Sequence, residues 1–67
     1  MYAVKVLQRW EDGSWTFAGY DKIFHTEEAA FDYAYFSMNP YEAKYYLVEQ
    51  LSRLQVRASG LVDLIQD

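Results

Sequence analysis

A catalytic reading of this chain starts with His25, which has Glu27 and Glu28 two and three residues on. General acid–base work needs a titratable group in a water-poor cleft and a partner that orients it. The stretch His25-Thr26-Glu27-Glu28 reads instead as a helix start. Thr26 is a natural N-cap, and the two carboxylates suit the positive end of the helix dipole. Glu11 and Asp12 are also adjacent acids, but Asp12-Gly13 is turn chemistry. Asp63 and Asp67 stand four apart and would share a face only if helical. With one His, no Cys and no Asp-x-Asp-x-Asp-Gly run, no metal-ligand set is expected. The glycines at 13, 19 and 60 are too scattered for a phosphate loop, and no Ser sits in a nucleophile elbow. The sequence predicts no catalytic residue, no metal and no cofactor.

Rings are the other chemistry on offer. Seven Tyr, four Phe and two Trp stand in 67 residues. Each ring can bury roughly 150–250 Å², and a domain this small hides only about 60% of its unfolded surface. Some rings are therefore expected on a surface that meets a partner. Trp10, Trp15 and Phe17 could stack bases. Against this, ten acidic and six basic residues give a net charge of −4, the wrong sign for gripping phosphates. Nucleic acid is not the expected partner. No apolar run approaches the roughly 20 residues that cross a bilayer, and no charged start leads into an apolar run. The chain reads as soluble and cytoplasmic, with no membrane partner.

These residues must be positioned by few elements, because 67 residues make one domain, 1–67. Residues 2–10 alternate, with Tyr2, Val4, Val6 and Trp10 on one face and Lys5 and Arg9 on the other. Asp12-Gly13 predicts a two-residue type I′ turn, and WTFAGY (15–20) the return strand. That register sets Trp10 opposite Trp15, Gln8 opposite Phe17 and Val6 opposite Gly19. It would make Val4, Val6, Trp15 and Phe17 one core face. A helix from Thr26 would lay Ala30, Phe31, Ala34 and Met38 on that face, with Tyr33 and Tyr35 at its edges and Phe36 turned away.

Asn39-Pro40-Tyr41-Glu42 has the order N-cap, N1, N3 and predicts a second helix. Ala43, Leu47, Leu51, Leu54 and Ala58 would form its buried stripe, and Glu49 would pair with Arg53 one turn on. Arg57 and Gly60 suit its end, and LVDLIQD comes next as a short helix, a strand or a docked tail. Tyr41, Tyr45, Val48 and Val56 make a second apolar stripe that a two-layer domain need not cover. The alternative makes residues 43–50 a third strand in β-β-α-β order, which the Tyr, Tyr and Val of KYYLVEQ also suit.

The expected fold is α+β, an N-terminal antiparallel hairpin packed under two helices with a short C-terminal element. The expected function is non-enzymatic binding to a larger protein. Tyr41, Tyr45, Val48, Val56, Tyr33 and Phe36 would supply apolar contact, and Glu27, Glu28 and Asp32 would supply charge, with Glu11, Asp12 and Asp21 adding to the acidic surface. In size, acidity and lack of Cys the chain resembles, in general style, phage-encoded inhibitors of bacterial defence systems, anti-CRISPR proteins among them; no motif ties it to one family. The alternative is a homodimeric accessory or structural protein joined through the aromatic stripe. A lower alternative is a weak single-stranded nucleic-acid binder.

Overall fold

The computed structural model describes residues 1–66. Its elements are β1 (Tyr2–Arg9), β2 (Trp15–Phe24), α1 (Glu27–Ser37), β3 (Lys44–Gln50), α2 (Arg53–Ala58) and a 3-10 turn at Val62–Leu64. The three strands form one antiparallel sheet in the order β2-β1-β3. This is an α+β fold in the β-β-α-β arrangement; the long second helix is replaced by β3 and the six-residue α2.

The Asn-Pro start closes a turn rather than a helix. The Asn39 side-chain oxygen accepts from the Tyr41 N–H at 2.9 Å, and its carbonyl accepts from the Glu42 N–H at 3.0 Å. An N-cap and an Asx-turn use the same side-chain bond, so the residues downstream decide between them. Here they are a β-rich run that pairs with β1 without a register break, from Tyr2↔Gln50 to Gln8↔Lys44. A lone hairpin is marginal, and a third strand stabilises it.

The hairpin loop also differs from the sequence expectation. Gly13 N–H donates to the Trp10 carbonyl and Trp10 N–H to the Ser14 carbonyl, both at 2.9 Å. Gly13 has φ 86°. Three residues, Glu11 to Gly13, therefore close the loop, with Gly13 in the left-handed position of a G1 bulge. Asp12 favours this form by accepting from both the N–H and the hydroxyl of Ser14. Arg9, not Trp10, faces Trp15, and Leu7 faces Phe17. A one-residue slip moves each β2 side chain to the other face, so Trp15 and Phe17 leave the Val4–Val6 face. Two further register shifts in β2 offset Lys5↔Tyr20 and then restore Ala3↔Ile23. The first sets Ala18 and Gly19 (φ 106°) opposite Val6 alone.

Ala3 and Val4 are adjacent and both fully buried. Neighbouring strand residues point to opposite faces, so the sheet is covered on both sides here. On one face Val4 packs with Ala30 and Ala34 of α1, joined by Tyr2, Phe24, Tyr33, Tyr46 and Val48. On the other, Ala3 and Ile23 pack with Leu51 and Val56, joined by Leu61, Leu64 and Ile65. The helices thus lie on opposite faces rather than together over the hairpin. Only the two small Ala residues of the expected α1 stripe are buried; Phe31 and Met38 remain 54% and 40% exposed. Ala30 and Ala34 make the contact with Val4, while Phe31 and Met38 line an open groove beside β3.

Thr26 caps α1 by accepting from the Ala29 N–H, with Glu27 and Glu28 in its first turn. Ser52 and Gln55 form a reciprocal capping box on α2. Gly60 (φ 70°) ends α2: its N–H reaches the Arg57 carbonyl and that of Leu61 reaches Val56, a Schellman pair. Beyond the 3-10 turn, Ile65 bridges Ile23 in parallel and the Gln66 N–H donates to the Ile23 carbonyl at 2.8 Å. Asp67 lies outside the described residues, and so does the expectation that it shares a face with Asp63. No helix among the described residues is long and apolar enough to cross a membrane.

Candidate functional site

Residues 9–18 are all exposed, so the distal half of the hairpin extends past both helical covers. The register there places Leu7, Arg9, Trp15, Phe17, Tyr45 and Leu47 on the face that carries α2 at its other end. Trp15 and Tyr45 meet edge-on across β1 at 6.0 Å between ring centroids. Phe17 meets Tyr20 similarly at 5.2 Å. Leu7, Trp15, Tyr45 and Leu47 line one shallow depression. The result is an apolar platform built from three strands and open to water, with Trp15 46%, Phe17 57% and Tyr45 44% exposed.

A polar strip separates this platform from the core. The Tyr20 hydroxyl donates to Glu49 Oε2 at 2.9 Å, and Lys5 Nζ lies 3.6 Å from the same oxygen. Burial, and then the Glu49 carboxylate, push the Tyr20 phenol above its ordinary value. Glu49 therefore serves the sheet; the expected helical pair with Arg53 does not form. The nearby Arg9 guanidinium lies 6.0 Å from the Trp15 ring centroid. Lys5 and Arg9 share the face of Trp15 and Phe17, contrary to the expected separation, but both are already engaged. Trp10 lies apart, its indole N–H donating to Thr16 Oγ1 at 2.7 Å.

A second apolar surface lies around β3. Phe31, Ala34, Tyr35 and Met38 of α1 face Tyr46 and Val48 across a groove that continues to Tyr45 and Leu47. Asp32 stands on its rim. Phe36 is 81% exposed and stacks edge-on with Tyr35 at 5.4 Å.

The expected partner-binding residues fall into separate places. Tyr41, Tyr45, Val48 and Val56 form no stripe, because no helix joins them. Tyr41 is 96% exposed in the turn before β3, and Val56 is fully enclosed in the core. Val48 packs toward α1. Tyr33 ties α1 to β2: its hydroxyl donates to Asp21 Oδ2 at 2.8 Å, its ring lies 5.5 Å from Phe24, and Lys22 sits over it at 5.7 Å. Burial and the Asp21 carboxylate raise its phenol pKa. Phe36, Glu27, Glu28 and Asp32 are exposed on α1. The platform residues Leu7 and Leu47 were not among the expected contacts. Asp12-Gly13 fits a loop of two or of three residues, so no sequence signal singled them out; the observed loop and its register did.

His25 is exposed and lines a depression with Met1, Arg53, Arg57 and Val56. Its polar neighbours there are guanidinium groups, which cannot orient an imidazole as a base. Among the described residues no three His, Asp or Glu side chains converge on one point. Comparison with protein-family models, curated proteins and solved structures finds no match to this chain.

Proposed function

We propose that this chain is a non-enzymatic protein-binding module whose contact surface is the platform of Leu7, Trp15, Phe17, Tyr45 and Leu47. One observation carries the reading: exposed Trp15, Phe17 and Tyr45 adjoin half-buried Leu7 and Leu47 on one face, and none of the five packs into either core. Contiguous exposed apolar surface on a small domain marks interaction sites, and Trp and Tyr are the residues that dominate interface energetics. A protein partner fits better than a nucleic acid, because Lys5 and Arg9 are engaged by Glu49 and Trp15 and the chain is net acidic. In this reading the chain occupies a site on a larger protein, in the manner of a phage-type inhibitor. Glu27, Glu28 and Asp32 add long-range attraction to a basic partner.

A photo-crosslinking residue at Phe17 tests the reading, with the same residue at exposed Leu54 on α2 as control. One discrete adduct from Phe17, lost on Trp15→Ala and absent from Leu54, supports the platform. Equal labelling from both positions overturns it. Quenching of Trp fluorescence by oligonucleotides at moderate salt would favour the nucleic-acid reading instead.

A further inference from the structure

The two edges of the sheet are treated differently. β2 carries two bulges and is bridged at Ile23 by Ile65 and Gln66. Such features block strand addition. β3 has neither: its pairing to β1 is unbroken over seven residues, and it contains no Pro. Its hydrogen-bonding phase is set by its ends. Met1 and Leu51 exchange both backbone bonds, at 2.7 and 2.8 Å, and Arg9 N–H donates to Ala43 at 2.8 Å. By the alternation of an antiparallel ladder, the odd-numbered residues of β3 bond to β1. The N–H and C=O groups of Lys44, Tyr46, Val48 and Gln50 therefore point outward along an edge that no strand among the described residues covers.

We infer that this edge pairs with the same edge of a second copy, making a six-stranded antiparallel sheet with Leu47 on the two-fold axis. Three features select this occupant. A two-fold perpendicular to the sheet needs a register in which outward-bonding residues meet outward-bonding residues. The register that overlaps Lys44–Gln50 over its full length satisfies this, pairing Lys44 with Gln50 and Tyr46 with Val48 of the second copy, for about eight hydrogen bonds. Leu47 then meets its own counterpart in a non-hydrogen-bonded pair, about 4.5 Å apart between Cα atoms, where side chains pack closest. No like charges are opposed, since Glu49 faces Tyr45 and Lys44 faces Gln50.

The groove supplies the covering. A strand added at this edge brings its own Tyr46 and Val48 beneath Phe31, Tyr35 and Met38, which β3 alone leaves exposed. The opposite face gains as well: Leu47 and Tyr45 of each copy become neighbours across the axis, so the two platforms join into one. The proposal is independent of the platform's partner, and its test reads mass alone.

Light scattering on a sizing column over roughly a hundredfold range of concentration gives the mass of the wild-type chain. Twice the chain mass is expected at the upper end, and a monomer throughout overturns the proposal. Leu47→Lys and Leu47→Glu each place like charges on the axis and are expected as folded monomers by circular dichroism. Their equimolar mixture is expected to recover the dimer, because Lys then faces Glu. Dimeric single variants, or a mixture that stays monomeric, place the contact elsewhere and overturn it. Should either variant fail to fold, a synthetic chain N-methylated at Val48 removes one outward donor while leaving every side chain intact. It is expected to weaken dimerisation at least tenfold, and unchanged dimerisation overturns the proposal.

Discussion

The Tyr20 hydroxyl reaches over β1 to Glu49 at 2.9 Å, linking the two outer strands above Lys5. This bond closes the core of Ala3, Ile23, Leu51 and Val56 on one side and marks the start of the open aromatic platform on the other. A polar boundary of this kind lets one sheet face serve two purposes. Its inner end holds the fold, and its outer end stays free for contact.

The same bond makes stability sensitive to alkaline pH. The Tyr20 phenol is raised by burial and by Glu49, and Tyr33 by burial and by Asp21. A raised folded-state pKa contributes stability that is complete below the unfolded value, about 10 for Tyr, and is lost as pH rises through the folded value. Urea unfolding is therefore expected to show Tyr20→Phe and Tyr33→Phe less stable than wild type at neutral pH, with the gap narrowing above about pH 10. A gap that stays constant would remove the two hydroxyls as the cause.

Core and platform should respond unequally to truncation. Val56→Ala opens a cavity in an enclosed site and is expected to cost about 1–3 kcal/mol. Phe17→Ala removes a larger side chain from an exposed site, and its expected cost is below about 1 kcal/mol, most of it from the lost edge contact with Tyr20. Thermal unfolding of the pair checks this, and a comparable loss from Phe17→Ala would mean that the platform belongs to the core.

Gly13 holds the loop at φ 86°. An L-residue there costs about 1–2 kcal/mol from Cβ–carbonyl crowding alone, since nothing else lies near enough to clash. Gly13→Ala is expected to destabilise by that amount, and Gly13→Asn by less. Equal stability of Gly13→Ala and wild type would show that the loop has a lower-energy alternative.

Ser52 matters more than its exposure suggests, because α2 is only six residues long and covers one face of the core. Ser52→Ala breaks the capping box and is expected to cost about 1 kcal/mol. Hydrogen exchange should then speed first at Val56 and Leu61, whose N–H groups bond within this segment. Uniform acceleration across the sheet would show that α2 does not open on its own.

Reversal of Glu27 and Glu28 to Lys separates helix from partner. Loss of the favourable dipole contacts is expected to cost about 0.3–1 kcal/mol per site at low salt. Association with a basic partner would also slow at low salt and converge on wild type as salt rises. A salt-independent rate in both proteins would count against charge steering.

The features legible in the sequence alone were local. The alternation of residues 2–10, the Thr26 cap with its two glutamates, and the stop at Gly60 rest on side-chain–backbone chemistry within a few residues, and each stands in the fold. The Ser52-x-x-Gln55 box, where the second helix begins, uses the same local chemistry but falls inside the helix expected from Asn39. Two matters were decided by tertiary structure. Residues 43–54 carry apolar side chains at both helical and alternating spacing, and Asn39-Pro40 can open a helix or close a turn; only the free edge of β1, waiting for a strand, selected β3. Asp12-Gly13 fits a two- or a three-residue loop, and that single residue decides which face Trp15 and Phe17 occupy. A strand's side chains have a period of two, so one residue of register turned an expected core into an exposed platform.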